Sequence, residues 1–226
     1  DWLGPDDLSL KIKEIREATD WQIPIQLKLG AARVYDDVRM AAKCEPDSIF
    51  IDGTEGGTGA GPHVATEETG VPGIAAIRQA RNALDDVGKT GEISLVYAGG
   101  IRNGGDVAKA LALGADAVAI GHSSLMALNC NRDIDEADFP NEMGVEAGSC
   151  YHCHTGRCPV GIATQDPKLR ARLNPDEASE RVYNFLHTLT MECQLLARAC
   201  GKTNIHSLEP EDIAALTMEA SAMAQV

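Results

Sequence analysis

The spacing of apolar residues along the first 130 positions switches repeatedly between a strand period and a helix period. Residues 21–29 alternate between apolar and polar side chains, which predicts a strand with Lys28 near its end. Three further short apolar runs end at Asp52, Gly99 and Gly121 and are typical of buried strands. Helical spacing predicts the segments around them. The predicted helices are residues 7–19, 34–44, 72–87, 106–113 and 123–129.

Four strand–helix units in succession predict an α/β fold with a parallel sheet covered by helices. A (β/α)8 TIM barrel contains eight such units in about 250 residues. We therefore expect residues 1–129 to form the second, C-terminal half of such a barrel. The first half is expected on a preceding segment or on another chain.

Beyond the half barrel the pattern first becomes irregular and then helical. Residues 130–165 are acidic at first and lead into a run of cysteines, whereas residues 166–226 are predicted to form a helical extension. Asn174 followed by Pro175 is a typical helix start, and Gly201 is a typical helix end. The predicted helices of the extension are 166–172, 175–200 and one that opens at Leu208.

Composition narrows the class of protein. With 226 residues, of which 44% are hydrophobic, the chain can bury a sizeable core. Its formal net charge of −14 repels phosphate and argues against binding of nucleic acid. No apolar run approaches the roughly 20 residues of a membrane span, so we expect no membrane insertion. Seven cysteines without a signal-peptide pattern indicate a cytoplasmic protein. The missing initiator methionine is expected of a fragment or a processed subunit.

Three cysteines lie within nine residues, at Cys150, Cys153 and Cys158, and a proline follows the last one. Thiolates are the soft ligands that iron–sulfur clusters require, and a Cys-Pro step recurs at the last ligand of such runs. The spacing therefore favours a metal site. A disulfide pair with a spare thiol, three free thiols, or a zinc site remain alternatives. A zinc ion would need a fourth ligand from His152, His154 or Cys130. Three other cysteines are predicted to lie in the buried core: Cys44, Cys193 and Cys200.

Each predicted strand ends in residues suited to catalysis or to phosphate binding. These residues are Lys28, then Asp52 and Gly53, then Gly99 and Gly100, and finally Gly121. In barrels, sites form at the C-terminal ends of the strands, and the loops after the last two strands often bind phosphate. Glycine turns allow backbone N–H groups to converge on an anion beside a helix N-terminus. We therefore expect a phosphate site at residues 99–106 and 120–124.

Four stretches of the chain carry a resemblance to a known family. They are residues 26–29, 52–62, 99–106 with 114–121, and 153–165. On these stretches the chain resembles the FMN-binding synthase domain of the glutamate synthase family, and the resemblance runs through the C-terminal helices. The sequence is most similar to the compact, archaeal-type form and to the related FMN subunit of N-methylglutamate synthase.

The resemblance implies a barrel that binds FMN, with an iron–sulfur cluster near the flavin that passes electrons to it. Reduced flavin is expected to deliver hydride to 2-iminoglutarate, made from 2-oxoglutarate and ammonia. In the alternative, the FMN subunit of N-methylglutamate synthase, methylamine and glutamate give N-methylglutamate. The implied partners are other synthase subunits or the missing barrel half, and a glutaminase-like subunit that supplies ammonia.

The resemblance also assigns roles to individual residues. Lys28 and Glu55 match catalytic positions beside the flavin and the substrate. A lysine in that position would stabilise negative charge on the reduced ring or bind a substrate carboxylate. Together with Lys28, the implied flavin contacts are Asp52, Gly56, Gly57, Gly99, Gly100, Gly121 and His122. The matched cluster ligands are Cys150, Cys153 and Cys158.

The cysteine run departs from the better-known members of the family. Two residues separate Cys150 from Cys153, whereas those members have a longer gap and hold a three-iron cluster. Cys130, or another group, would be the fourth ligand of a four-iron cluster. Both 3Fe-4S and 4Fe-4S clusters therefore remain open.

Two other functions compete with the synthase hypothesis. A different flavin barrel oxidoreductase, acting on hydroxy acids or inosine-type substrates, would not need the cysteine run. A non-catalytic electron-transfer or scaffold subunit would not need Lys28, Glu55 and both glycine turns together. The sequence therefore favours the synthase, and the flavin and iron content of the intact complex would discriminate among the three.

Overall fold

Four parallel strands form the sheet at the centre of the molecule. A computed structural model of the chain describes residues 3–57, 61–130 and 152–226. The strands are β1 (Gln26–Gly30), β2 (Ser48–Asp52), β3 (Ser94–Ala98) and β4 (Ala117–Ala119), and they pair in the order β1-β2-β3-β4. Right-handed crossovers between neighbours in this order send every connecting helix to the same face of the sheet. A doubly wound sheet would instead reverse its strand order, so this order is that of a barrel segment.

The helices that accompany the strands cover one face of the sheet. They are α1 (Pro5–Ala18), α2 (Val34–Lys43), α3 (His63–Glu67), α4 (Gly73–Asp86), α5 (Gly104–Ala112) and α6 (His122–Ala127). The core lies between these helices and the sheet, because both sides present aliphatic residues to it. The largest fully buried side chains there include Ile49, Ile51, Leu84, Leu95, Val34 and Val38. Each such side chain contributes about 1.5–3 kcal/mol through its burial.

The opposite face of the sheet carries polar and small residues together with Phe50 and Val96. Along β2, Ile49 and Ile51 are buried, whereas Phe50 and Asp52 are only partly buried. The register places Lys28 beside Phe50 and Gly30 beside Asp52 on the neighbouring strand. In a barrel this second face lines the interior. The strands therefore alternate between a helix-covered face and a face available to the site.

The C-terminal extension is helical and packs against the half barrel. It contains α7 (Pro167–Arg170), α8 (Pro175–Ala199) and α9 (Met218–Ala224), with 3-10 turns at Ile205–Ser207 and Pro210–Asp212. The predicted start of α8 is confirmed, because the Asn174 side chain accepts a hydrogen bond from the Asp176 N–H. The predicted end is confirmed as well, since Gly201 has a left-handed φ of 74°.

Two predicted boundaries are wrong. The first strand begins at Gln26 rather than at residue 21, because Asp20 and Trp21 have left-handed backbone angles and Pro24 has no N–H to donate. The helix predicted to open at Leu208 is only a short 3-10 turn there. Its side-chain hydrogen bonds close the turn at Asp212, the backbone then becomes extended, and the final helix starts at Met218.

Two further details differ from the sequence prediction. The short helix α3 follows the glycine-rich loop, a segment for which the pattern predicted no helix. Cys44 and Cys193 are buried as predicted, but Cys200 is exposed because it follows the last residue of α8. In the part of the chain that the structure describes, none of the helices is both long and apolar enough to cross a bilayer.

Candidate functional site

The ends of β1 and β2 place a lysine and a carboxylate side by side. Lys28 Nζ lies 2.8 Å from Asp52 Oδ2 and 4.8 Å from the centre of the Phe50 ring. The Lys28 side chain is 60% exposed, whereas that of Asp52 is 19% exposed. The lysine therefore keeps its charge accessible on the open face of the sheet, while the carboxylate and the aromatic ring fix its position.

Glu55 lies in a tight turn directly after β2. Its carboxylate accepts a hydrogen bond from the Gly73 N–H, with donor–acceptor distances of 3.2 and 3.0 Å to its two oxygens. Gly73 is the first residue of α4, where the helix dipole favours a negative charge. The turn is closed by a hydrogen bond from the Gly56 N–H to the Gly53 carbonyl. The exposed Glu55 is thus anchored by a helix terminus and is not a freely moving loop carboxylate.

Gly56 is a glycine for a steric reason. A Cβ atom at this position would lie 1.9 Å from Asp52 Oδ1. Any side chain at residue 56 would consequently displace the carboxylate that holds Lys28. The neighbouring Gly57 is exposed and has a φ of 143°, which favours glycine.

Tyr97 is a residue of this site that the sequence analysis missed. It lies on the helix-covered face of β3 and is 3% exposed, and its hydroxyl donates a hydrogen bond of 3.4 Å to Glu55 Oε2. Burial raises the pKa of Tyr97, and the negative charges of Glu55 and Asp52 raise it further. The signal in the sequence is a tyrosine in a buried strand position, whose hydroxyl must find a polar partner.

The turn after β3 lies against the turn after β2. Gly99 and Gly100 have left-handed φ angles of 118° and 67°, which favour glycine. A Cβ atom at Gly99 would be 3.1 Å from the Gly56 nitrogen, and one at Gly100 would be 3.0 Å from the Glu55 Cβ. The two predicted site loops are therefore in direct contact.

The turn after β4 joins the same end of the sheet. The Ser123 hydroxyl donates a hydrogen bond of 2.5 Å to the Ile101 carbonyl in the preceding turn. Gly121 and His122 are exposed, and the position of a Cβ atom at Gly121 has open space around it. Both predicted phosphate turns thus lie next to each other and face outward.

The start of α5 is already occupied by side chains of the protein. The Gly104 N–H donates a hydrogen bond of 2.7 Å to the Glu192 carboxylate of α8. The Asp106 N–H donates to the Asn103 side chain at 3.0 Å, and the Arg102 N–H donates to the Asp106 carboxylate at 3.0 Å. Of the predicted phosphate segment, the first glycine pair is consequently the accessible part, whereas the second pair packs against the C-terminal helix.

The structure describes the cysteine run from residue 152 onward, where the chain forms turns. Cys153 is exposed and Cys158 is 6% exposed, and both are free thiols. The Arg172 side chain stabilises this segment by donating a hydrogen bond of 2.9 Å to the Pro159 carbonyl. Among the described residues, no cluster of three or more His, Cys, Asp and Glu side chains has the geometry of a metal site. Cys150, the first predicted ligand, lies outside the described residues.

The structure therefore brings together most of the predicted site residues. One contiguous group at the C-terminal ends of the strands comprises Lys28, Asp52, Glu55, Gly56, Gly99 and Gly100. Gly121 and His122 belong to the adjoining turn, which is linked to the group through Ser123.

The chain has relatives of known family. The conserved region in glutamate synthase matches residues 1–203. A glutamate synthase large subunit-like protein of Rhizobium meliloti is 52% identical over the whole chain, which covers 51% of that protein. An archaeal glutamate synthase [NADPH] of Methanocaldococcus jannaschii is 37% identical over 90% of the chain and 37% of its own length. The chain thus spans about half or less of the length of these relatives.

Solved structures support the fold. Flavocytochrome b2 with sulfite bound matches 90% of the chain with a TM-score of 0.55 and 18% identity, and 37% of its own length is covered. Mandelate oxidase with a monooxide FMN adduct matches 88% of the chain with a TM-score of 0.51 and 21% identity, and 44% of its own length is covered.

Together with the sequential parallel sheet, this likeness confirms the predicted α/β fold as a partial (β/α)8 barrel. The sequence matches confirm the family that the four stretches predicted. The chain belongs to the glutamate synthase family.

Proposed function

We propose that this chain is the part of a glutamate synthase-type oxidoreductase that binds FMN and an iron–sulfur cluster. The observation that carries the proposal is the strand-end group of Lys28, Asp52 and Glu55 beside two glycine turns, in a member of the glutamate synthase family. Sites at this end of parallel strands are the rule in barrel enzymes.

The residues present fit a flavin phosphate. Gly99 and Gly100 have backbone angles that a side chain would strain, and a Cβ atom at Gly100 would fill the space beside Glu55. Gly121 opens onto free space in the adjoining turn. Backbone N–H groups of such turns bind phosphate oxygens. We therefore assign the phosphate of FMN to the turns after β3 and β4, with Gly121 and His122 on one side of it.

The open face of the sheet carries the positively charged side chain that we assign to the reaction. When bound, FMN supplies a hydride for 2-iminoglutarate, which forms from 2-oxoglutarate and ammonia. Lys28 holds its ammonium group on this face and stabilises the negative charge that develops on the flavin ring or on a substrate carboxylate. Asp52 and Phe50 orient the lysine, and Glu55 provides a fixed hydrogen-bond acceptor for the nitrogen of the substrate.

The cysteine run is assigned to an iron–sulfur cluster that passes electrons to the flavin. The donor set fits, because Cys153 and Cys158 are free thiols and thiolates are the preferred ligands of such clusters. With Cys150 they provide three ligands, as in a 3Fe-4S cluster, and Cys130 is the candidate fourth ligand of a 4Fe-4S cluster.

The proposed enzyme is a cytoplasmic complex. Several relatives carry the name archaeal-type glutamate synthase [NADPH], and on that basis NADPH is the proposed source of electrons. The rest of the barrel and a glutaminase-like subunit that releases ammonia are the proposed partners.

The test uses the full-length protein in its native complex, purified without oxygen. We expect flavin absorbance, a broad iron–sulfur shoulder, and about three or four iron atoms with about four acid-labile sulfides per chain. Cys158→Ser should lose most of the iron, because it removes a cluster ligand. The control is Cys200→Ser, which changes an exposed thiol and should keep the iron. Iron that stays in Cys158→Ser would contradict the cluster assignment.

The same preparation identifies the reaction. Reduced protein given 2-oxoglutarate and ammonia should form glutamate, detected by mass spectrometry. Formation of N-methylglutamate from methylamine and glutamate would assign the chain to the N-methylglutamate synthase branch instead. If neither amino acid forms while flavin and iron are present, the synthase proposal is wrong.

A further inference from the structure

We propose that Tyr97 is a positioning residue whose buried hydroxyl holds the carboxylate of Glu55 in place at the substrate end of the barrel. The inference rests on the proposed function, in which Glu55 faces the nitrogen of the substrate. It adds a residue on the helix-covered side of the sheet to a site that otherwise lies on the open side and in the strand-end turns.

Because Tyr97 is buried, its hydroxyl cannot form a hydrogen bond with bulk water and needs a partner within the protein. The residue is 3% exposed and belongs to the set of β3 side chains that face the helices. A hydroxyl in such a place costs free energy unless it has a hydrogen-bond partner. Among the described residues, the partner that the geometry provides is Glu55, whose Oε2 lies 3.4 Å from the hydroxyl oxygen. The same oxygen accepts the Gly73 N–H at 3.0 Å, so two donors from different elements fix one carboxylate.

Three glycines make room for this hydroxyl. An added Cβ atom would lie 1.8 Å from the hydroxyl oxygen at Gly73, 2.5 Å at Gly53 and 2.9 Å at Gly99. Gly73 is in the first turn of α4, Gly53 is in the turn after β2, and Gly99 is in the turn after β3. The hydroxyl thus lies where three backbone segments meet, and it can reach Glu55 because none of the three carries a side chain there.

A phenylalanine would fill the same hydrophobic space, so the hydroxyl itself needs an explanation. Burial, followed by the negative charge of Glu55, raises the pKa of Tyr97 and keeps the phenol protonated throughout the neutral range. A protonated phenol is a permanent donor toward the carboxylate. Consequently the hydroxyl directs one lone pair of Glu55 inward and leaves the others for a ligand.

The experiment compares two tyrosine variants of the full-length holoenzyme. Tyr97→Phe removes the hydroxyl toward Glu55, and Tyr35→Phe removes a hydroxyl that donates to the Asp86 carboxylate between α2 and α4, away from the strand ends. We expect Tyr97→Phe to lower kcat about fivefold, since its hydrogen bond is long and of ordinary strength. The KM for 2-oxoglutarate and the FMN content should stay unchanged, and Tyr35→Phe should keep the full kcat.

A second experiment tests whether the Tyr97 hydroxyl acts through Glu55 or only through its packing in the core. In a Glu55→Ala background the acceptor is gone, so the added Tyr97→Phe substitution should cause little further loss of kcat. Equal losses in both backgrounds would show that the hydroxyl acts on something other than Glu55 and would overturn the proposal. A fall in FMN content or a rise in KM that accompanies the loss of kcat would also overturn it.

Hydrogen exchange tests the same contact without any turnover. In Tyr97→Phe, backbone amides of residues 53–57 and 70–76 should exchange faster than in the wild type, whereas Tyr35→Phe should leave them unchanged. Should Tyr97→Phe fail to fold, Glu55→Ala removes the acceptor of the same hydrogen bond and should accelerate the same amides. Unchanged exchange in these variants contradicts the role of Tyr97, while wild-type protein that makes neither amino acid contradicts the proposed function alone.

Discussion

Lys28 illustrates how much a single residue can show before the fold is known. A lysine at the end of an alternating strand was predicted as a site residue, and the structure places its ammonium group against Asp52 and Phe50 on the open face of the sheet. The side chain is 60% exposed, so its ion pair contributes little to stability, about 0–1 kcal/mol. The small contribution of the pair to stability is consistent with the role in charge stabilisation that we propose for Lys28.

Replacing this lysine gives the prediction at the residue scale. Lys28→Met in the full-length enzyme should lower kcat by about 100-fold, because the positive charge on the open face is lost. The melting temperature should stay within about 2 °C of the wild type, since the Lys28 side chain is exposed. Steady-state turnover and calorimetry measure the two effects.

The control for Lys28→Met is Lys11→Met. Lys11 also pairs with a carboxylate, Glu14, at 2.9 Å, but it does so on the surface of α1. Its substitution should leave kcat unchanged. Full turnover in Lys28→Met would remove this lysine from the reaction, and unfolding of the variant would instead give it a structural role.

At the scale of elements, the contact between α5 and α8 joins the half barrel to its extension. Gly104 is the first residue of α5, and a Cβ atom there would lie 2.5 Å from the Leu189 carbonyl oxygen and 2.6 Å from the Cys193 nitrogen. Both neighbours are backbone atoms of one helix, which cannot move singly. The glycine therefore permits a close approach of two helices, and the Glu192 carboxylate closes the end of α5.

This close approach predicts that alanine substitutions at two adjacent glycines differ strongly in their effect on stability. Gly104→Ala should lower the free energy of unfolding by about 3 kcal/mol, because the two helices must separate. Gly105→Ala is the matched control, since its added Cβ would lie 3.1 Å from the Asn103 side-chain oxygen and 3.9 Å from Leu196. It should change stability by less than about 1 kcal/mol. Urea denaturation measures both variants, and similar midpoints would show that α8 does not clamp α5.

Elements also show where local patterns mislead. The run after Leu208 has helical spacing, but Pro210 begins a 3-10 turn in which Glu209 and Asp212 form reciprocal side-chain hydrogen bonds. That turn is complete in itself, and the chain then extends until Met218. The spacing of apolar residues predicts a helix here. It contains no information about the side-chain hydrogen bonds of a capping box, which end this turn after three residues.

At the scale of the whole molecule, the net charge of −14 sets the response to solvent. Repulsion among the excess carboxylates opposes the compact state, and salt screens it over a distance that falls from about 30 Å at 0.01 M to about 8 Å at 0.15 M. Exposed ion pairs such as Lys11–Glu14 and Arg33–Asp36 lose little when they are screened, and partly buried ones such as Arg81–Asp116 are screened much less. Screening should consequently stabilise this protein.

The melting temperature should therefore rise by a few degrees between about 0.01 M and 0.15 M salt at neutral pH. Sodium and potassium chloride should give the same rise, because the effect depends on ionic strength. The rise should shrink at about pH 5, where carboxylates begin to bind protons and the net charge falls. A melting temperature that drops with salt would show that attractive pairs outweigh the net repulsion.

The sequence by itself determined the repeated strand–helix units, the family and the strand-end residues of the candidate site. These follow from local information, because the period of apolar residues encodes each element and glycine turns mark where each strand ends. Lys28 and Asp52 were found in this way, whereas Glu55 was implied by the family resemblance, and the structure then placed all three with Gly99 and Gly100 in one group. The cysteine run stays a prediction from spacing, since Cys150 lies outside the described residues.

Only the tertiary structure decided which of these residues touch. Tyr97 appeared as a buried strand residue, and its contact with Glu55 depends on three backbone segments that meet at its hydroxyl. The closure of the α5 terminus by Glu192 joins residues 88 positions apart in sequence. Periodicity reports only near neighbours along the chain, whereas contacts of this kind arise when packed helices and parallel strands bring distant segments within hydrogen-bonding distance.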